Sequence, residues 1–301
     1  MKKRNSDSLA DCNQGFSWVS RFLVVVSMLM GMSSWVTAQT LYWDADADAT
    51  LNATDGTNLG GTGTWDTSAL NWWNATSMVA WPNTNTANAV FTYAFPTSPY
   101  AIPTPFTVTL GDPITANRLT FQRSGYTVAG NTLTLEGTAA GLYANLGESA
   151  TISSLIAGTD GLTLTGGGSV RLSNPSNSYT GTTTIANGSL IISSAAALGG
   201  TGAVNILTTN NTPLNTSLRG FGGGSLVLDG TAAGFTFSRD VDFEGAGPIG
   251  DRGAAILSLG NNTLSGTLRS AISPLPLSPT ATIRNSRINS VNGTLTLSGT
   301  L

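Results

Sequence analysis

The sequence predicts an all-β fold, a right-handed parallel β-helix closed at its N-terminal end by an aromatic cap. Three observations lead to it. Charged residues are only 10% of 301, against the ~25% of ordinary globular domains, and Thr, Ser, Asn and 36 Gly take their place, a mixture suited to strands and tight turns. Short runs that alternate apolar residues with Thr or Ser recur along the chain and end in Gly. Five tryptophans lie beyond the first forty residues, and all five fall between Trp43 and Trp81.

The first 38 residues read as a secretory signal. Lys2, Lys3 and Arg4 begin it, Arg21 precedes the apolar run FLVVVSMLMGMSSWV, and Val36, Thr37 and Ala38 supply small residues for cleavage after Ala38. The apolar run falls short of the ~20 residues that span a bilayer. Cleavage removes Cys12 and both lysines, so residues 39–301 contain no Cys, Lys or His, with nine Arg against fourteen Asp and Glu. A secreted chain without disulfides must stand on packing and backbone ladders. Its acidic balance excludes nucleic acid as a partner, because phosphate binding needs clustered Lys and Arg.

Residues 39–94 form the predicted aromatic cap module, with WDTSALNWWNATSMVAWPN at 65–83 as its densest part. Five exposed indoles would present about 1,000 Å2 of aromatic surface, more than a soluble monomer usually leaves in one patch. Most of them must therefore be buried. Trp72 and Trp73 are adjacent and point to opposite sides of a strand, so at most one lines the core. If any ring serves as a stacking platform for extracellular glycans, Trp73 and Trp81 are the candidates. A proline-rich linker, 95–105, follows within FPTSPYAIPTPF, where proline density excludes a central strand.

From 106 to 301 the alternating runs dominate. They are FTVTLGD (106–112), NTLTLEG (131–137), GLTLTGG (161–167), GSLIISS (188–194), GSLVLDG (224–230), ILSLGNN (256–262) and GTLTLSG (293–299). Each places its leucines or valines on one face and Thr or Ser on the other. Their starts are 25 to 37 residues apart, but weaker runs such as SVRLS (169–173) and TTTIA (182–186) bring a strand about every ten residues. Two or three strands per coil and eight to ten coils, at ~4.8 Å each, fit this spacing. A β-sandwich shares the strand frequency, but the sameness of the runs favours stacked coils. SAAALGG (194–200) is the one place for a helical turn, and SPLPLSP (273–279) interrupts the pattern.

One stretch is specific. GLTLTGGGSVRLSNPSNSYTGTTTIANGSLIISSAAALGG, 161–200, resembles the passenger-associated transport repeat, also called the autotransporter-associated β-strand repeat. The matching residues are Asn177, Tyr179, Thr180, Gly181, Thr183, Asn187, Gly188, Leu190, Leu198 and Gly199. Leu164 stands where the family often has Lys, and Asn187 where Ala is more usual. The resemblance implies a secreted or surface-displayed bacterial β-helix that helps its passenger fold and cross the outer membrane, with the translocation machinery as partner and no enzymatic activity. A complete autotransporter carries a C-terminal barrel. This chain has no room for one and ends at Leu301 within a rung pattern, which predicts a truncated array.

The site chemistry is narrow. Without His, Cys or Lys, residues 39–301 cannot build a Ser-His-Asp triad, an ordinary zinc site or a Schiff base. Asp44, Asp46 and Asp48 share one strand face, as do Asp240, Asp242 and Glu244. Carboxylates so close repel unless a hard cation such as Ca2+ lies between them, which makes these six the candidate calcium ligands beside the plainer reading of two solvated acidic runs. No other cofactor is implied. GAGPIG at 245–250 satisfies G-x-G-x-x-G but precedes no helix that would hold a phosphate. The function expected is a structural adhesion or display scaffold at the cell surface. The alternative is a polysaccharide-binding module, or a carbohydrate-active β-helix using Ca2+, Asp240, Asp242 and Arg252.

Overall fold

Backbone hydrogen bonding in the computed structural model runs almost wholly between coils, as a chain of short strands separated by glycine and asparagine turns requires. The structure describes residues 38–94, 105–200, 202–207, 223–245, 247–248, 254–270 and 286–301. The predicted signal apart from Ala38, the linker apart from Pro105, the SPLPLSP interruption, Arg252 and part of GAGPIG lie outside them.

Nine parallel strands form one long face. They are Gln39–Trp43, Ala87–Phe91, Arg118–Phe121, Gly141–Ala144, Leu162–Gly166, Thr183–Ile185, Val204–Ile206, Val241–Phe243 and Leu268–Ser270. A second face has nine strands, Gly63–Trp65, Phe106–Leu110, Tyr126–Gly130, Ser149–Ile152, Ser169–Leu172, Gly188–Ile192, Gly224–Gly230, Ile256–Gly260 and Ile288–Val291. Each coil gives it one strand, so nine coils are counted among the described residues, within the number expected. A third face holds Ile114–Ala116, Leu133–Leu135 and Ile156–Ala157, and later Thr236–Phe237, Asn262–Leu264 and Leu295–Leu297. The fold is thus an all-β parallel β-helix.

The alternating runs place like residues above one another. On the second face Val108, Val128, Ile152, Leu172, Ile192 and Leu228 form one in-register column, all fully buried. On the first, Leu119, Leu142, Leu164, Ile185, Ile206 and Phe243 form another. Burying each such side chain stabilises the stack by roughly 1.5–3 kcal/mol, and no coil can do so alone. The outward column Thr107, Thr127 and Thr151 shows the expected polar face.

Two features depart from simple alternation. The outward column continues through Arg171 to Ile191, Val227 and Leu257, where a second apolar cluster forms from Val227, Ala254, Leu257 and Val291. There the sheet is buried on both faces, which the unbroken apolar runs of LII and LVL signal. The third face is also interrupted for two coils, with no strand among the described residues between Ala157 and Thr236. A 3-10 turn at Ala195–Leu198 stands in that gap, its first N–H groups met by Ser194, whose Oγ accepts from Ala196 at 3.2 Å. This is the turn that SAAALGG predicts.

Candidate functional site

Two places concentrate unusual side chains, the aromatic end and the gap in the third face. At the aromatic end the hairpin Trp72–Trp73 and Met78–Val79 runs antiparallel along Gln39–Trp43 and closes the edge of the first sheet. Trp43, Trp65, Trp72 and Trp81 are buried. Trp65, Trp72 and Trp81 meet one another with centroids 4.7 to 4.8 Å apart, and Phe91 stacks on Phe121 at 5.1 Å to carry the plug into the coil interior. Trp43 Nε1 donates to Gly61 O at 2.9 Å and Trp81 Nε1 to Thr115 O at 3.0 Å. Large aromatics suit this position because they fill an end cross-section that no further coil covers among the described residues.

The candidate platforms are placed inside this arrangement. Trp73 faces away from the core, as its adjacency to Trp72 requires, but lies against Tyr42 at 5.7 Å and is 6% exposed. Trp81 is 2% exposed. Neither offers a free ring face to a sugar.

The two acidic runs are also engaged. Asp44 is turned inward and 1% exposed, accepts from Asn52 Nδ2 at 2.7 Å, and burial pushes its carboxyl up to about 6. Asp46 Oδ1 accepts the Asp48 N–H and Asp48 Oδ1 the Thr50 N–H, at 3.0 and 2.9 Å, so these two brace a turn. Asp240, Asp242 and Glu244 alternate with buried Val241 and Phe243 and so share the outer face. Arg269, directly across from Asp242 in the next coil, reaches Asp242 at 2.5 Å and Asp240 at 3.3 Å. The Thr267 N–H and then this guanidinium hold Asp240 below the usual carboxylate range. Among the described residues no three acidic, histidine or cysteine side chains converge as a metal site requires.

The gap in the third face is built by the residues of the resemblance. Asn177 is 7% exposed and joins three coils, its Oδ1 accepting from Ile156 N–H at 2.8 Å and its Nδ2 donating to Ala197 O at 2.7 Å. Tyr179 is buried, shares a 2.9 Å hydrogen bond with Thr183 Oγ1, and burial pushes its hydroxyl up to about 12. Gly199 has φ +70°, and a Cβ there would lie 2.8 Å from Tyr179 Cδ1, so only glycine fits. Arg239 completes the corner by donating to Leu198 O at 2.9 Å and, through Nε, to Gly202 O at 2.7 Å. Sequence reasoning missed Arg239, because a lone arginine 40 residues beyond its acceptors carries no local signal. The side chains of this corner all bond backbone or one another. Their chemistry is that of a clasp.

A parallel β-helix stitched by this corner defines the class, and comparison with known proteins gives it a family context. Residues 162–192 match the passenger-associated-transport-repeat, so the chain carries that repeat, across two coils. It is also similar to the "Adhesin BmaC autotransporter" of Brucella suis biovar 1 (strain 1330), with 36% identity over 140 residues, 46% of this chain. The chain spans 4% of that relative's length. No solved structure gives a significant match.

Proposed function

We propose that the chain is a passenger segment of a bacterial autotransporter, a non-enzymatic β-helical scaffold for adhesion or display at the cell surface. Its repeat serves passenger folding and secretion. The observation that carries this reading is the position of the repeat: Asn177 ties coils on either side of its own, so residues 162–192 act as a clasp within a parallel stack. The similarity to an autotransporter adhesin supports the same reading. A scaffold also fits the side chains described at the repeat's corner, whose hydroxyl, amide and guanidinium groups bond backbone or one another.

The test is display. Residues 39–301 fused ahead of an outer-membrane barrel are expected to become accessible to protease added to intact cells, and removal of 162–192 to lower that display several-fold. Equal display with and without the repeat would remove the secretion role. Cells displaying the segment are expected to attach to matrix-coated or host-cell surfaces better than cells displaying the barrel alone, and equal attachment would remove adhesion.

A further inference from the structure

In the last described coil the second face passes to the third through Asn292, Gly293 and Thr294, which join Ile288–Val291 to Leu295–Leu297. The stack dictates what can stand there. Asn292 has φ +57°, in the left-handed region that asparagine enters far more readily than most L residues. Gly293 lies over Gly260, and a Cβ there would come 2.3 Å from Gly260 O, so the residue after Asn292 has to be glycine. The coil below thus selects an Asn–Gly pair, and it does so at an exposed corner.

An asparagine followed by glycine can modify itself. The glycine nitrogen, its proton taken by solvent, attacks the side-chain amide carbon; the bond from that carbon to the amide nitrogen breaks, ammonia leaves and a cyclic imide remains. Water opens the ring at one carbonyl or the other, so amide and water become acid and ammonia, and the product is aspartate or isoaspartate. The attack is intramolecular, so the freedom of the two groups to meet sets its rate. Around Asn292, Ser290 Oγ donates to Gly293 O at 3.1 Å and Thr294 N–H to Asn261 Oδ1 at 2.9 Å, but among the described residues no hydrogen bond engages the Asn292 side chain or the Gly293 N–H. Asn187–Gly188 is the second such pair in residues 39–301, and it is held. Asn187 Oδ1 accepts the Gly188 N–H at 2.9 Å, and Gly188 is buried, in register with Gly224 and against Gly168 O.

We propose that Asn292 is a self-modification site, converted to aspartate and isoaspartate with water as co-reactant, and that the isoaspartyl form releases the strand that follows it. An isoaspartate carries the backbone through its own side-chain methylene, so the turn becomes one atom longer. Thr294 meets the coil below through both backbone groups, its N–H on Asn261 Oδ1 and its O accepting from Asn262 N–H at 3.0 Å. Leu295–Leu297 then follows in register on Asn262–Leu264, with Leu295 packed against the core. A longer turn carries Thr294 out of both bonds and the strand out of register. The aspartyl form keeps the backbone length and with it the strand. The change runs one way, which makes the corner a timer for the third face.

The experiment ages residues 39–301 at physiological temperature in mildly alkaline buffer and follows both pairs by peptide mapping, with mass spectrometry and isoaspartyl methyltransferase labelling. Conversion at Asn292 is expected to be at least ~10-fold faster than at Asn187. Asn292→Gly, which keeps the left-handed turn without an amide, is expected to stay homogeneous at that position. Equal rates at the two pairs, or no conversion at either, would overturn the site. Brief subtilisin digestion reads the second half: cleavage within 294–297 is expected to rise several-fold in the aged protein and to stay at the fresh level in Asn292→Asp. Equal cleavage of aged protein and Asn292→Asp would overturn the release.

Discussion

At the scale of single residues, the corner around Asn177 concentrates the most consequential chemistry per atom. Asn177→Ala strands the Ile156 N–H and the Ala197 carbonyl in a buried setting, and each orphan costs ~1–3 kcal/mol. A loss of about 2–4 kcal/mol in denaturant melts is expected. Tyr179→Phe removes the bond to Thr183 and the hydroxyl's contact with Arg239 and should cost about 1–2 kcal/mol. Gly199→Ala should exceed it, because the added methyl meets the Tyr179 ring in a backbone conformation that L residues rarely adopt. These roles are only half written in the sequence. Asn177 and Tyr179 stand out through the resemblance, but which atoms they bridge depends on coils that are 20 residues away in the chain and adjacent in space. Asp44 is a sharper case. Its place in an alternating acidic run predicts solvent or a cation, and the fold turns it inward under the 45–59 excursion, a tertiary effect with no local signal.

At the scale of strands, the inward and outward columns should answer differently to the same substitution. Leu164→Ala opens a cavity between Leu142 and Ile185 and is expected to cost ~2–5 kcal/mol. Thr165→Ala, on the other side of the same strand, should stay within about 0.5 kcal/mol. A pair of melts checks both. Strand positions were legible because alternation has a period of two and the inward side is almost uniformly aliphatic. Coil length was not. The seven strongest runs belong to three different faces: 161–167 to the first, 106–112, 188–194, 224–230 and 256–262 to the second, 131–137 and 293–299 to the third. Their spacing of 25 to 37 residues therefore mixes steps along a coil with steps between coils. Strands of the first face beginning at Arg118, Gly141, Leu162, Thr183 and Val204 repeat every 21 to 23 residues. The outward apolar positions Ile191 and Val227 were visible in LII and LVL, but a rule that assigns every alternate residue to solvent passes over them.

At the scale of the whole chain from Ala38 onward, which forms one compact unit, stability should be additive by coil. Residues 118–140 make one complete turn, since Arg118 and Gly141 occupy the same register position. Their deletion is expected to leave a folded, slightly less stable protein with an unchanged far-ultraviolet spectrum. Deleting 126–137 instead removes strands from two faces while keeping Arg118–Phe121, so the columns no longer meet and folding should fail. Far-ultraviolet circular dichroism separates the two outcomes. The outer ion pairs carry little of this stability. Arg269→Ala should lower the melting point slightly at low salt and not at all at high salt, as expected for exposed pairs.

The crowding of all five indoles at one end, four in the plug and Trp73 on its outer side, has a practical side. Tryptophan emission, excited selectively, from residues 39–301 samples that extremity alone, while peptide-bond absorption averages over every rung. Strands that fray far from the indoles would be optically silent in the first channel and plain in the second. A heat ramp recorded in both should yield two midpoints, and the interval between them measures how far disorder travels before it reaches the sealed extremity.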